Sequence, residues 1–255
     1  QRLDTETLRA RVQEWFTPAS LAETLGAPST RTEDIAFQWL AKAGKRWRPL
    51  LVAATYAALS EDADATLDAV RSLAVAVECF HKASLIHDDI EDDDAERYGT
   101  PALHTEHGIP IAVNAGDYLL GEGYRLIAQS AFSAETRARL LAMAAGAHRT
   151  LSIGQGEELD AARQLAPPAI ARMLDIFRMK TSPAFAVALK FGAVAAGADD
   201  ALCAALDGFS DALGIAYQIR DDLADAHGGT EAHPLPPLSL LTSLAWESGD
   251  THARA

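Results

Sequence analysis

The chain has 255 residues and a formal net charge of -14, because 36 Asp and Glu residues outnumber 22 Lys and Arg residues. This acidic balance argues against a nucleic-acid partner and against an anionic membrane surface. Hydrophobic residues make up 49% of the sequence, which is enough for a sizeable core. We find no signal peptide and no run of about 18 apolar residues, so we expect no transmembrane segment. The two cysteines, Cys79 and Cys203, are too few for a disulfide framework, which favours a cytoplasmic location.

The sequence pattern predicts an all-α protein, because alanine and leucine are abundant and strand-type alternation is scarce. There is no repeat, and no linker rich in Gly, Ser or Pro separates two parts, so we expect a single domain over residues 1–255. Glycine and proline residues divide the helical pattern into segments. The predicted helices cover approximately residues 4–16, 31–43, 50–60, 65–95, 110–131, 134–163, 167–190, 199–226 and 238–247.

A compact basic motif, Gly44 to Pro49, lies between the second and third predicted helices. Its three cations, Lys45, Arg46 and Arg48, form either a solvated basic turn or an anion-binding site. Lys and Arg are the usual phosphate ligands in proteins, and Arg binds through a bidentate fork. In so acidic a chain, this motif favours the anion-binding interpretation. Pro49 suits the first position of the helix that follows.

The predicted helix over residues 65–95 has one stripe that is apolar for most of its length and acidic at its C-terminal end. A helix that only packs in a core would stay apolar. An acidic end beside an apolar wall suits a ligand with a charged head and a hydrocarbon tail. His81 lies on this stripe, either as a hydrogen-bonded core residue or as a ligand-binding one. The stripe consists of Val70, Leu73, Ala74, Val77, Phe80, His81, Ser84 and Asp88.

Two segments have the form DDxxD: the first aspartate motif (Asp88–Asp92) and the second aspartate motif (Asp221–Asp225). Both lie in predicted helices, so the first and last aspartates of each motif share a face. Such like charges become favourable when a divalent cation lies between them, and Mg²⁺ prefers carboxylates together with substrate phosphates. One such motif in an acidic chain is typical of a solvated helix face. Two copies and a basic motif predict a diphosphate held through several Mg²⁺ ions.

Two further segments carry cations near these motifs. Arg97 follows the first aspartate motif and is close enough in sequence to reach the same phosphate. Lys180 and Thr181 lie in a helical stretch with Pro183, which removes the hydrogen bond to the carbonyl of Met179. The freed backbone oxygens would face a developing cation, although an ordinary structural kink explains that segment equally well.

In chain order, these motifs resemble those of the trans-isoprenyl diphosphate synthases. Gly44–Pro49 resembles the GKRxRP motif, and His81–Asp92 resembles the first aspartate-rich motif of that family. The remaining matches are Arg97–His104 to the RRGxPxxH segment, Gly116-Asp117 to GD, Gly154-Gln155 to GQ, Lys180-Thr181 to KT, and Tyr217–Asp225 to the second aspartate-rich motif.

The resemblance implies an all-α isoprenoid synthase bundle around a central cavity, usually a homodimer. It implies condensation of isopentenyl diphosphate with an allylic diphosphate, with about three Mg²⁺ ions per active site. The implied Mg²⁺ ligands are Asp88, Asp92 and Asp221, with Asp89 and Asp225 as further candidates. The residues implied to hold the allylic diphosphate and shelter its cation are Arg97, Lys180, Thr181 and Gln218. The residues implied to hold isopentenyl diphosphate are Lys45, Arg48 and His81.

The apolar wall below Asp88 predicts the product length. Farnesyl-producing relatives place a bulky aromatic residue four or five positions before the first aspartate, where this chain has the small residues Ala83 and Ser84. Phe80 lies one turn deeper, and a helical turn rises about 5.4 Å, close to one isoprene unit. We therefore expect Phe80 to form a floor and the product to be a linear diphosphate of C20 or longer.

The chain departs from the family pattern at several places. Tyr98 stands where a second Arg is usual, and Glu158 where an Asp is usual. No lysine follows Lys190, and the part after about residue 226 is abbreviated. These departures leave two alternatives to a synthase: a class I terpene cyclase and a non-catalytic partner subunit.

Overall fold

The computed structural model describes residues 3–42, 44–228 and 238–249. Over these residues the fold is helical apart from one short hairpin, which confirms the predicted all-α class. The elements are α1 (Thr5–Glu14), α2 (Pro18–Leu25), α3 (Arg31–Ala41), α4 (Trp47–Leu59), α5 (Ala63–Thr66), a 3₁₀ turn (Leu67–Val70), α6 (Arg71–Glu91), β1 (Glu96–Arg97), β2 (Thr100–Pro101), α7 (Leu103–His107), α8 (Ile109–Ala128), α9 (Ala134–Ala161), α10 (Ile170–Ala195), α11 (Asp200–Gly228) and α12 (Leu240–Glu247).

Some helix boundaries differ from the sequence prediction. The helix α2 was not predicted, although its start is marked by Thr17, which caps the helix, and by Pro18 at its first position. The prediction that Pro49 begins a helix is wrong, because α4 begins at Trp47 and Pro49 is its third residue. Arg46 adopts a left-handed backbone conformation (φ 48°), which turns the chain into the helix before the proline is reached.

The described chain forms two compact units. The first covers residues 1–143 and 188–199, and the second covers residues 144–187 and 200–255. The expectation of one domain over the whole chain stays a prediction. In the first unit, α6 packs along α8 and also contacts α3 and α4.

The helix α6 is buried at its start and opens toward solvent at its end, as its stripe predicts. The side chains of Leu73 to Val77 are all buried, and Ala83 is fully buried. Ser84 is exposed, and Asp88 is partly exposed one turn later. The apolar part of α6 therefore anchors the first aspartate motif at an accessible helix end.

The second unit has its own apolar core and a capped terminal helix. Met173, Phe177 and Leu240 form the buried core, and the partly buried residues packed against it are Ile170, Leu174, Ile215, Ile219 and Leu238. Ser239 and Thr242 form a capping box at the start of α12.

The described helices include none that is long and apolar enough to cross a membrane. Both cysteines are free thiols and are buried.

Candidate active site

The basic motif contains one buried cation with a structural role and other cations that are accessible. Arg46 is buried, and its guanidinium donates to Glu78 Oε1 at 2.5 Å and to the carbonyl oxygens of Leu40 and Lys42 at 2.7 Å each. These contacts fix the left-handed turn before α4. Lys45 remains exposed on the same turn.

Arg48 and His81 form a polar pair at the junction of α4 and α6. The Nη1 of Arg48 lies 2.9 Å from Nε2 of His81. Since a guanidinium only donates, Nε2 accepts and the ring proton belongs on Nδ1. Burial and the positive charges of Arg48 and Lys82 lower the pKa of His81 well below its ordinary value. His81 is therefore neutral at neutral pH and offers one N–H donor.

The first aspartate motif contains aspartates in two different environments. Asp88 is partly exposed and Asp92 is exposed, one turn apart at the end of α6. Asp89 is fully buried, and its carboxylate forms an ion pair with Arg97. Burial raises the pKa of Asp89, although the hydrogen bond from Arg97 opposes the shift.

The hairpin after α6 positions Arg97. The Nε of Arg97 donates to Asp89 Oδ1 at 2.6 Å, and Nη2 lies 3.0 Å from Asp94 Oδ2. The strands pair Arg97 with Thr100, and the two residues between them, Tyr98 and Gly99, both have positive φ (57° and 71°). This conformation is typical of a tight hairpin turn. Arg97 thus lies beside the first aspartate motif, held by two carboxylates.

The carboxylates of Asp88 and Asp92 fit a Mg²⁺ ion in donor chemistry. Both supply hard oxygen ligands, and Oδ2 of the neighbouring Asp89 is a buried acceptor that receives no hydrogen bond. Within the described part of the chain, no three His, Cys, Asp or Glu side chains are grouped closely enough to hold a metal. Mg²⁺ commonly takes one or two carboxylates and completes its coordination with phosphates and water. The set of metal ligands stays a prediction.

In the second unit, Lys180 forms an ion pair with Glu158, which links α10 to α9. The two helices approach closely beside this pair, because a Cβ at Gly154 would overlap the backbone of Met179 and Lys180. Glu158, where the family pattern has Asp, therefore contacts the predicted phosphate ligand directly.

Thr181 and Gln218 also contact each other. The Nε2 of Gln218 donates to Thr181 Oγ1 at 2.7 Å, and Thr181 is buried. Next to Thr181, Ser182 lies against Gly214 of α11. A Cβ on Gly214 would collide with the hydroxyl and backbone of Ser182. The helix α10 continues through Pro183. Two predicted residues are thus joined in one polar contact.

The second aspartate motif lies in α11. Asp221 Oδ1 lies 3.2 Å from Nη2 of Arg220, and Asp222 Oδ2 accepts a hydrogen bond from the backbone N–H of Leu240 at 2.7 Å. The backbone of Asp225 is helical, but its side chain lies outside the described residues. So do residues 229–237 and 250–255 of the abbreviated part.

Phe80 lies beside a second aromatic ring. It is partly buried on α6 and makes an edge-to-face contact with Tyr124 of α8, with ring centroids 4.9 Å apart. A Cβ at Gly123 would lie 2.5 Å from Cε1 of Phe80, so the absence of a side chain there makes room for the ring. Sequence reasoning missed Gly123 and Tyr124, because the two helices pack only in the folded chain.

A sequence model of the polyprenyl synthetase family matches residues 30–233, which is most of the chain. The chain belongs to the polyprenyl synthetase family. It is 31% identical over 185 residues to a short chain isoprenyl diphosphate synthase of Methanocaldococcus jannaschii, covering 72% of this chain and 54% of that protein. It is 34% identical over 214 residues to a farnesyl diphosphate synthase of Geobacillus stearothermophilus, covering 82% of this chain and 70% of that protein.

A solved structure shares the fold of this chain. The geranyltransferase of Helicobacter pylori, complexed with magnesium and isoprenyl diphosphate, superposes with a TM-score of 0.83 at 24% identity, covering 98% of this chain and 86% of that one. The resemblance drawn from the motifs is thus confirmed for family and fold. The chain spans about half the length of the Methanocaldococcus jannaschii relative.

Proposed function

We propose that this protein condenses isopentenyl diphosphate with an allylic diphosphate, in a Mg²⁺-dependent reaction, to give a linear trans-prenyl diphosphate. The activities of two relatives, a short chain isoprenyl diphosphate synthase and a farnesyl diphosphate synthase, support this reaction class.

The observation that carries the proposal is the pair of anion-binding chemistries on one helix. His81, in contact with Arg48, and Asp88 both lie on α6, seven residues apart. At 1.5 Å per residue this separation is about 10 Å along the helix axis. The cationic position binds a diphosphate directly, and the aspartates bind one through Mg²⁺. A condensation of two diphosphate substrates needs both chemistries.

Ionisation of the allylic diphosphate is the first step. The carboxylates of Asp88, Asp92 and Asp221 would hold about three Mg²⁺ ions, which when bound neutralise charge on the leaving diphosphate. Arg97 and Lys180 would supply further positive charge to the leaving diphosphate.

Condensation and proton loss complete the reaction. Lys45, Arg48 and His81 hold isopentenyl diphosphate, whose double bond attacks the allylic cation. Loss of a proton to the departed diphosphate then restores neutrality. The hydrogen-bonded pair Thr181 and Gln218 would shelter the cation. The apolar wall of α6 would exclude water, which quenches such a cation.

We assign the chain-length floor to Phe80, supported by Gly123 and Tyr124. Since a ring at position 80 closes the wall one turn below Ala83, the expected product is C20, geranylgeranyl diphosphate, or longer. A Phe80→Ala variant is expected to shift the product toward longer chains. The matched variant Tyr124→Leu keeps Phe80 and is expected to change the distribution less, and an unchanged distribution in Phe80→Ala would remove Phe80 as the floor.

We propose a homodimer in the cytoplasm. Ile109, Ile111 and Val113 expose large apolar side chains at the start of α8, a surface suited to a second copy of the chain. The free thiols of Cys79 and Cys203 are compatible with a reducing compartment. Light scattering of purified protein measures the mass, and a monomer would contradict the dimer.

The deciding experiment is product analysis with Mg²⁺, isopentenyl diphosphate and each of the C5, C10 and C15 allylic diphosphates. A longer linear diphosphate that disappears in Asp88→Ala supports the synthase. A cyclic or alcohol product formed without isopentenyl diphosphate identifies a terpene cyclase instead. Absence of turnover with all three primers would favour a non-catalytic partner subunit.

A further inference from the structure

Lys82 is a fully buried lysine in the first unit, on the α6 turn that also carries His81. A buried ammonium is costly unless it is paired or hydrogen-bonded. Its hydrogen-bond acceptor is the carbonyl oxygen of Lys42 at 3.3 Å. In the described part of the chain no carboxylate lies within ion-pair distance of Lys82, and nearby Glu78 is bound by Arg46.

Two aromatic rings replace the missing counter-ion. The Nζ of Lys82 lies 5.3 Å from the ring centroid of Trp39 and 4.3 Å from that of Tyr98. Such cation–π contacts stabilise a buried ammonium but do not neutralise it. Burial and the positive charge of Arg46 lower the pKa of Lys82 to about 8. The group therefore lies in a region with excess positive charge that an anion would relieve.

The ring of Tyr98 connects Lys82 with the basic motif. Tyr98 occupies the hairpin turn with φ 57°, and its ring lies against Trp39 with centroids 6.2 Å apart and the ring planes tilted by 42°. Its hydroxyl lies 4.0 Å from the position of a Cβ on Gly44, at the start of the basic motif. One face of the phenol covers Lys82, and its hydroxyl lies near the backbone of Gly44, one residue before the exposed Lys45.

We infer that Tyr98 and Lys82 together extend the anion-binding site of Lys45, Arg48 and His81, with Tyr98 donating a hydrogen bond to the diphosphate of isopentenyl diphosphate and Lys82 supplying positive charge from beneath the ring. The inference rests on the proposed function for the identity of this ligand. Lys82 acts through Tyr98 and through its field, so it is a positioning residue.

This arrangement gives the tyrosine a role at a position where an arginine would combine donor and charge in one side chain. In the chain described here, the donor belongs to Tyr98 and the charge to Lys82. The two side chains should therefore depend on each other. An arginine at position 98 should be useful only when the charge at position 82 is absent, because both charges together would repel.

The test is calorimetric titration of isopentenyl diphosphate in EDTA, where the aspartate motifs hold no metal and the cationic residues account for binding. Lys82→Met is expected to weaken affinity about tenfold, in line with the loss of one charged interaction. Lys42→Met is the matched control, because Lys42 also lies over Trp39, with Nζ 5.0 Å from the ring centroid, but does not lie beneath Tyr98. We expect its affinity to stay within about twofold.

The double variant Lys82→Met/Tyr98→Arg tests whether the charge of Lys82 matters for binding. If Lys82 had only a structural role, an arginine at position 98 would not restore the affinity for isopentenyl diphosphate. Restoration of affinity to within about threefold of the unmodified chain supports the inference. An unchanged dissociation constant in Lys82→Met, or a double variant as weak as the single one, overturns it. Tyr98→Phe keeps Lys82 and removes only the hydroxyl, so its expected loss of about fivefold tests the same site if Lys82→Met does not fold.

Failure of the inference and failure of the proposed function give different results. Normal turnover with unchanged affinity in all variants overturns the inference alone. The predicted affinity pattern without turnover of any primer supports the inference as a diphosphate site and overturns the synthase.

Discussion

The first and second aspartate motifs have the same DDxxD spacing but different neighbours in the fold. In the first, Asp89 is buried and bound by Arg97 of the following hairpin. In the second, Asp222 accepts a hydrogen bond from the N–H of Leu240 at the start of α12. In both motifs, therefore, the second aspartate stabilises local structure. The first aspartate of each motif, Asp88 or Asp221, has its carboxylate at least partly exposed.

The helical repeat explains this shared division. Residues one apart on a helix point about 100° away from each other, so the second aspartate leaves the face that the first and fifth positions share. It faces the segment that follows the helix in the chain. That segment supplies its partner, which is Arg97 of the hairpin after α6 for Asp89, and the N–H of Leu240 at the start of α12 for Asp222.

The largest expected effect comes from the exposed aspartates. Asp88→Ala and Asp221→Ala should each reduce turnover by about 10³-fold or more, because metal-assisted charge stabilisation contributes several kcal/mol to the transition state. Steady-state kinetics with isopentenyl diphosphate and a C15 primer measure this loss. Asp93→Asn removes a charge next to the first motif, and asparagine tolerates its φ of 56°. Comparable losses in Asp93→Asn would contradict a special role for Asp88.

The second-largest expected effect is a difference in the stability cost of adding a methyl group at a close helix contact in each unit. Gly154→Ala should lower the free energy of unfolding by about 3 kcal/mol, since its Cβ would meet the backbone of Lys180. Gly116→Ala should cost about 1 kcal/mol or less, because its Cβ meets the side chain of His87, which can move, and alanine favours the helix. Urea unfolding of both variants measures the two losses of unfolding free energy. Equal losses would show that the backbone of α10 moves to accommodate the methyl group as easily as the His87 side chain does.

The structural aspartates should differ in stability cost. Asp89→Ala is expected to lower the free energy of unfolding by about 2 kcal/mol, because it leaves the partly buried Arg97 without its closest carboxylate. Asp222→Ala should cost about 1 kcal/mol, as expected for loss of a hydrogen bond at a helix start. Denaturant midpoints measure both. A larger loss in Asp222→Ala would reverse the comparison.

The smallest expected effect is a difference in acid sensitivity. The folded state keeps His81 neutral, so below the unfolded pKa of about 6.5 the unfolded chain binds more protons and stability falls as pH falls. Between pH 7.5 and 5.5, His81→Gln should lose about 1 kcal/mol less stability than the unmodified chain. Gln218→Ala removes the contact with Thr181 and no titratable group, so its cost should be the same at both pH values. Parallel pH profiles for His81→Gln and the unmodified chain would contradict a buried neutral histidine.

Much of the site was predictable from local patterns. The spacing of Asp88 and Asp92, the apolar stripe that precedes them and the order of the motifs depend on residues close in sequence, so the helical period alone indicates their arrangement. The roles of Arg46 and Lys82 were not predictable, because the same basic residue types are exposed in Lys45 and buried in these two.

The sequence by itself determined the helical class, the family and the residues that carry acidic and basic chemistry. The tertiary structure decided which of those charges are accessible. Arg46 turns inward because Glu78 of α6 lies beneath it, and the ring of Phe80 packs against α8 because Gly123 leaves room for it. Both outcomes depend on the packing of segments distant in sequence. Burial and pairing of a side chain are properties of such contacts, whereas helical periodicity is a property of neighbouring residues.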